Sequence, residues 1–344
     1  MKALSVRDTN ADFRYWGGDH MAAQGGEMDV HIRETSVMGF VEVMKQLPKF
    51  SRLMKETKRA ILDYMPDKVI LIDYPGFNLR MAKWLKSNGF HVTYYISPQL
   101  WAWKKGRITS IQNYVDDMLV ILPFEHQFYA SHNVNVHYVG HPLVPVIDDF
   151  KSKNKKETKA QKPQLALLPG SRKQEIKNIL PRLLAAANQL KDKYDITLTC
   201  VNTVDQAFYN ELLGETHHYI SIKRGNTYEL LSNADVAFVA SGTATLETAL
   251  FDVPQVVCYH TSKMNYEIGK RLVDLPFISL VNLISEQQVV PELIQDDLNT
   301  ERLMIELEHL EKEGDKIKAG YFALRNKLKV DADPSDRAAS IIVG

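Results

Sequence analysis

Two strand-to-helix junctions in this chain combine residue types suited to holding an anion. Pro169-Gly170-Ser171-Arg172 closes the apolar run Leu165 to Leu168 and leads straight into a helical pattern. Free backbone N–H groups, a hydroxyl and a guanidinium then meet at a helix N-terminus beyond a strand's carboxyl end, where an anion is best held. The second junction is Val236 to Ala240, then Ser241-Gly242-Thr243, then a helix carrying Glu247. Small residues let backbone approach a phosphate, and a carboxylate one turn into the helix can bind ribose hydroxyls. Taken singly, Ser-Gly-Thr is an ordinary cap and Arg172 an ordinary surface residue. Two such junctions in one half of the chain point to a nucleotide-diphosphate site.

The first half offers acid–base chemistry. The run Val69 to Ile72 delivers Asp73 at its carboxyl end, followed by Tyr74-Pro75-Gly76-Phe77-Asn78. A carboxylate there can serve as a general base; capping the following helix is the other reading. Ser97 to Lys104 ends the next strand with Trp101 and Trp103, which either line a pocket for a sugar or acyl chain or fill a core edge. His141, in VGHPL, stands at the same edge and is either structural or part of a site. Asn78, Ser97, Trp101, Trp103 and His141 are the candidates for an acceptor or sugar pocket. Asp331-Ala332-Asp333 spells a metal-type DxD, but it precedes Pro334 at a helix start, where aspartates belong as caps. No metal is expected. The segment from Val37 to Arg59 is both apolar and basic, fit either for an anionic membrane surface or for a core helix with a solvated face.

The elements that must position these residues alternate. From Lys68, short β-rich runs (KVILID, HVTYYIS, DMLVILP, VHYVGH) are separated by helical patterns, the signature of βαβ units and a parallel sheet. The polar stretch 151–162 reads as a linker, after which the pattern restarts. The expected fold class is α/β: two doubly wound Rossmann-like domains facing a cleft, 1–150 and 163–333, the helix 334–344 joining the first. A chain of 344 residues, 45% hydrophobic and 24% charged, can fill a core in each, which excludes disordered and fibrous classes. Forty-two basic residues balance forty-two acidic ones, so no global field favours nucleic acid. Cys200 and Cys258 lie in apolar runs and read as buried thiols. Neither a membrane-spanning run nor a signal peptide is apparent, so the expectation is a protein that is soluble or touches a membrane from one side.

With these motifs assembled, the chain resembles the lipid-A-disaccharide synthases, family-19 glycosyltransferases of Gram-negative bacteria. The shared stretches run nearly end to end: SVMGFVEV, IDYPGFN, YYISPQLWAWKKGRI, LPFEHQFY, VGHPL, LALLPGSRKQEI, ASGTATLE and SLVNLI. The resemblance implies a metal-independent glycosyltransferase-B fold without cofactor, the nucleotide lying on the C-terminal domain. The implied reaction transfers 2,3-diacylglucosamine, with inversion, from its UDP donor to the 6-hydroxyl of 2,3-diacylglucosamine 1-phosphate. Asp73 would remove the acceptor proton, and Arg172 with the helix after Gly242 would stabilise the leaving diphosphate. Gly170, Ser171, Ser241, Gly242 and Thr243 would surround phosphate, Glu247 would hold ribose, and Asn282 would contact the nucleotide. A cytoplasmic location, peripheral on the inner membrane, is implied, with a homodimer left open.

One departure stands out. Members of the family open with a strand and an AGE-x-SGD loop, whereas this chain begins MKALSVRDTNADFRYWGG, the end of a helix and then a strand. The expectation is a natural product with roughly twenty more residues upstream, one strand, loop and partial helix. Two rivals remain: a UDP-sugar epimerase of the same fold, and a truncated remnant that binds UDP without turnover.

Overall fold

The computed structural model describes residues 1–32, 47–102, 105–154, 161–214, 217–273 and 275–344. In chain order the elements are α1 (Lys2–Arg7), β1 (Arg14–Gly17), α2 (Asp19–Ala22), β2 (Glu27–His31), α3 (Leu47–Tyr64), β3 (Lys68–Ile72), α4 (Pro75–Ser87), β4 (His91–Tyr95), α5 (Ile108–Tyr114), β5 (Asp117–Val120), α6 (Pro123–Ala130) and β6 (His137–Tyr138). There follow α7 (Leu143–Lys153), β7 (Gln164–Leu168), α8 (Lys173–Leu190), β8 (Asp195–Cys200), α9 (Gln206–Leu213), β9 (Ser221–Arg224), α10 (Thr227–Asn233), β10 (Val236–Ala240), α11 (Thr243–Leu250) and β11 (Gln255–Tyr259). The last are α12 (Lys263–Leu272), α13 (Leu280–Ser285), β12 (Glu292–Ile294), α14 (Thr300–Leu328) and α15 (Pro334–Val343). Contacts divide the chain into one unit of Met1–Gly140 with Val330–Gly344 and a second of His141–Lys329.

In the first unit a parallel sheet runs β3-β4-β5-β6, and β1 and β2 form a separate parallel pair. Period-two alternation decides which side chain meets which layer. Val69, Leu71, Val92, Tyr94, Met118 and Val120 face a cluster built with α4 and with Phe50, Leu53, Met54 and Ile61 of α3. Ile70, Tyr95, Leu119 and Ile121 face the opposite cluster, with Leu4 of α1 and Ala338, Ile341 and Ile342 of α15. Asp333 caps α15, its carboxylate accepting the Ser335 N–H at 2.8 Å, so this aspartate is spent as a cap. From Phe50 onward α3 is a core helix with a solvated face; residues 33–46, and with them the first ten residues of the apolar-basic segment and all of SVMGFVEV, lie outside the described residues.

The second unit is a six-stranded parallel sheet in the order β12-β11-β10-β7-β8-β9. β10 is buried at every residue, as a strand covered on both faces must be. α8 buries Ile176, Ile179, Leu180, Leu183, Leu184, Ala187 and Leu190, the three-four spacing that puts one apolar stripe on the sheet. Both thiols, Cys200 and Cys258, are buried and outside any disulfide, and burial pushes Cys200 up to about 11.

The division between units falls after Gly140 rather than after residue 150, because α7 packs entirely within the second unit. Its Ile147 is buried, Phe150 meets the rings of Tyr228 and Phe251, and Lys151 reaches Asp252 at 2.6 Å. Residues 151–153 of the expected linker are therefore the last turn of a helix, and 155–160 lie outside the described residues. Among the described residues no helix is long and apolar enough to cross a membrane.

Candidate active site

Strand order brings the two anion-binding junctions together. From β7 the chain winds one way through β8 and β9, then returns to the other side of β7 for β10, β11 and β12. The order reverses between β7 and β10, which pair directly, Leu168 opposite Val239. Ligands of such sheets bind beyond the strand ends at this switch point, and both junctions follow these two strands. Ser171 and Arg172 are exposed, Arg172 as the residue that starts α8 with extended backbone (φ −114°, ψ 139°). Gly242 and Thr243 are exposed at the start of α11, with open space where a Gly242 side chain would stand.

Other groups there are already engaged. The Ser241 hydroxyl donates to the Ile278 carbonyl and its N–H to the Cys258 carbonyl, each at 2.9 Å, so only the hydroxyl lone pairs remain for a ligand. Glu247 accepts the Tyr228 hydroxyl at 3.1 Å through Oε1, and burial raises its carboxyl above the ordinary value. The Ser171 N–H is capped by the chain's own Glu175 carboxylate at 2.9 Å. That contact exists because residue 170 is glycine: its φ is +113°, and an added Cβ would stand 2.2 Å from the Glu175 carboxylate oxygen. Gly170→Ala is thus expected to lower stability by about 1–3 kcal/mol through backbone strain. A drop in the thermal midpoint checks it; an unchanged midpoint would mean the loop relaxes freely.

Asn282 does not belong among the exposed groups. It is completely buried, its amide donates to Val290 O (2.9 Å) and Glu292 Oε1 (2.8 Å), and its Oδ1 accepts the N–H groups of Val289 and Val290. Every hydrogen-bonding position of the side chain is used, so it shapes the turn between α13 and β12 instead of meeting a nucleotide directly. Glu292 completes the knot, taking the Ser279 and Ile278 N–H groups as well.

In the first unit Asp73 is exposed at the carboxyl edge of β3, and the surrounding protein raises its carboxyl above the ordinary 3.8 by desolvation, partly offset by the Tyr74 N–H it accepts. Asn78, a pocket candidate, instead spends its amide on the Ile72 and Asp73 carbonyls at 3.0 and 2.7 Å. Beneath the neighbouring strand end lies a polar cluster. Buried Ser97 hydrogen-bonds Tyr129 at 2.7 Å, and Glu125, 1% exposed, accepts the Leu122 N–H at 3.0 Å and the Trp101 indole at 3.2 Å. Burial pushes Glu125 up to about 7. Trp101, half-buried, packs edge-on against Phe124 and is the pocket candidate of this group left partly open; Trp103 lies outside the described residues. His141 is buried, held neutral near pKa 4 by desolvation, and its Nδ1 accepts the Leu143 N–H at 3.3 Å, so it is a structural histidine.

Glu125, Glu175, Glu292, Tyr94 and Tyr228 were not singled out from sequence. Glu125 alone had a signal: it stands three residues after Leu122 behind Pro123, the spacing of a reciprocal cap. Among the described residues no cluster of His, Cys, Asp and Glu could hold a metal ion.

A family model described as lipid-A-disaccharide synthetase matches residues 1–337. Curated lipid-A-disaccharide synthases of Syntrophus aciditrophicus and Myxococcus xanthus are 38% and 36% identical, covering 98% and 99% of this chain and 91% of each relative. Among solved structures, the calicheamicin glycosyltransferase CalG4 aligns with a TM-score of 0.62 at 15% identity, over 99% of this chain and 92% of that one. The UDP-GlcNAc 2-epimerase of Neisseria meningitidis aligns with a TM-score of 0.56 at 12% identity, over 99% and 93%. At such identities these two speak for the fold alone, that of the glycosyltransferase-B class.

Proposed function

This chain belongs to the lipid-A-disaccharide synthase family, matched over residues 1–337, and from that premise we propose that it joins UDP-2,3-diacylglucosamine to 2,3-diacylglucosamine 1-phosphate, giving a β-1,6 disaccharide 1-phosphate and UDP. The family places it among the glycosyltransferases of lipid A biosynthesis. The observation that carries the finer reading is the meeting of two exposed, anion-ready junctions at the switch point of the second unit.

The diphosphate lies on the N–H groups at the starts of α8 and α11, with the Ser171 and Thr243 hydroxyls and the Arg172 guanidinium around it. Because Glu175 already caps Ser171, the incoming phosphate displaces that carboxylate or approaches from the Gly242 side. Glu247, oriented by Tyr228, accepts from the ribose. Asp73 takes the proton from the acceptor 6-hydroxyl as oxygen attacks the anomeric carbon and the UDP–sugar bond breaks. The negative charge that develops on the leaving diphosphate falls on Arg172 and the helix N-termini. Both sugars carry acyl chains, so we place the enzyme at the cytoplasmic face of the inner membrane, in peripheral contact.

UDP release from UDP-2,3-diacylglucosamine, measured in detergent with and without the acceptor, tests this reading. Release that requires 2,3-diacylglucosamine 1-phosphate and yields the disaccharide is the expected result. Conversion of the donor without acceptor would instead mark an epimerase, and UDP binding with no turnover a binding remnant.

A further inference from the structure

Asp73 and Tyr74 follow one another with φ of +45° and +43°, a left-handed pair in which neither residue is glycine. Each Cβ is crowded against backbone in that conformation, which persists only where the surroundings over-determine it. The restraints are few and specific. The Asp73 carbonyl receives the Asn78 amide at 2.7 Å and the Tyr94 hydroxyl at 2.6 Å, and the Asp73 N–H goes to the Tyr95 carbonyl at 3.0 Å.

Tyr94 is fully buried in β4, one of the largest side chains in the core. A phenylalanine would fill the same volume, so what the tyrosine adds is a hydroxyl, delivered through the core to this one carbonyl. Turning either residue back to right-handed backbone would redirect the Cα–Cβ bond that carries the carboxylate.

We infer that Tyr94 is a positioning residue: with Asn78 it locks the left-handed Asp73–Tyr74 turn and so fixes the direction in which the Asp73 carboxylate reaches the acceptor. The assignment rests on the reading of Asp73 as the base, and Tyr94 acts through the backbone without touching substrate.

Tyr94→Phe tests it in the full chain. The kcat of acceptor-dependent UDP release is expected to fall about tenfold, the effect of one buried hydrogen bond lost from the turn, with acceptor KM and UDP affinity kept. The ascending limb of the pH–rate profile shifts toward acid, because a released turn relieves part of the desolvation that raises the carboxyl. Adding Tyr74→Gly, which removes one Cβ from the left-handed pair, restores most of the lost rate. A purely structural role would cost thermal stability while the rate per folded molecule and the pH limb stay at wild-type values; that result overturns the inference. So does a Tyr94→Phe loss of equal size with and without Tyr74→Gly. Should Tyr94→Phe fail to fold, Asn78→Ala removes the other donor from the same carbonyl and carries the same expectations. Asp73→Asn separates the two levels: full turnover there removes the base, whereas an inactive Asp73→Asn beside a wild-type Tyr94→Phe removes the Tyr94 assignment alone.

Discussion

Asp73→Asn is expected to lower acceptor-dependent UDP release by at least about a hundredfold, the lower end of what general-base catalysis contributes, while UDP binds as before. The substitution keeps size and shape but removes the lone-pair charge that takes the proton, and the residue lies in the first unit whereas the nucleotide junctions lie in the second. Isothermal titration with UDP beside steady-state turnover separates the two effects. Wild-type turnover in the variant would sink the base assignment; loss of UDP binding together with turnover would mean that Asp73 organises more than the acceptor.

The raised carboxyl of Asp73 adds a pH dependence with a definite sign. The base works only when ionised, so kcat/KM rises with pH through a value above the ordinary 3.8. The stability effect runs the other way. A carboxyl whose folded value exceeds its unfolded value contributes stability below the unfolded value, and that contribution is lost as pH rises through the folded one. At neutral pH the ionised Asp73 is therefore a cost to the fold, and Asp73→Asn should melt no lower than the wild type. Activity lost without stability lost is the mark of a residue kept for chemistry.

Much of this was legible in the sequence because hydrophobic period and junction chemistry reinforce one another. KVILI, QLALL and VAFVA announce strands by apolar and β-branched runs, and the residues closing them fall where helices begin. The reading failed where an outcome depends on a partner far along the chain. In SLVNLI nothing local says that the Asn282 amide is consumed by Val290 and Glu292, so a buried structural amide looked like a ligand contact. Asn78 was misplaced in the same way, its donors turned inward on the two carbonyls before it. α7 was hidden because LVPVIDDFKSK ends in charges that merge with the lysine-rich stretch, and its docking depends on Tyr228 and Phe251. Backbone strain was invisible altogether: nothing local announces a left-handed Asp73–Tyr74 pair, which is held by the Asn78 amide together with the Tyr94 hydroxyl and the Tyr95 carbonyl of the neighbouring strand.

Arg172→Gln should cost about 10²–10³ in kcat, the range for removing one preorganised stabiliser of transition-state charge, with a smaller loss of UDP affinity. Arg172 stands exposed at the start of α8, and its backbone belongs to the same turn as Gly170 and Ser171, so its charge and the helix N-terminus act on one region. Charge on the diphosphate grows as the glycosidic bond breaks, so the guanidinium is worth more in the transition state than in the bound donor, and the deficit belongs in kcat. Arg172→Lys keeps the charge but loses the planar fork that meets two phosphate oxygens at once, and should recover only part of the rate. Steady-state kinetics on the three forms, with UDP affinity measured separately, decides the matter. If Arg172→Gln raised KM and left kcat untouched, the guanidinium would bind ground and transition states alike, and departure of UDP would have to be driven from the Gly242–Thr243 side alone.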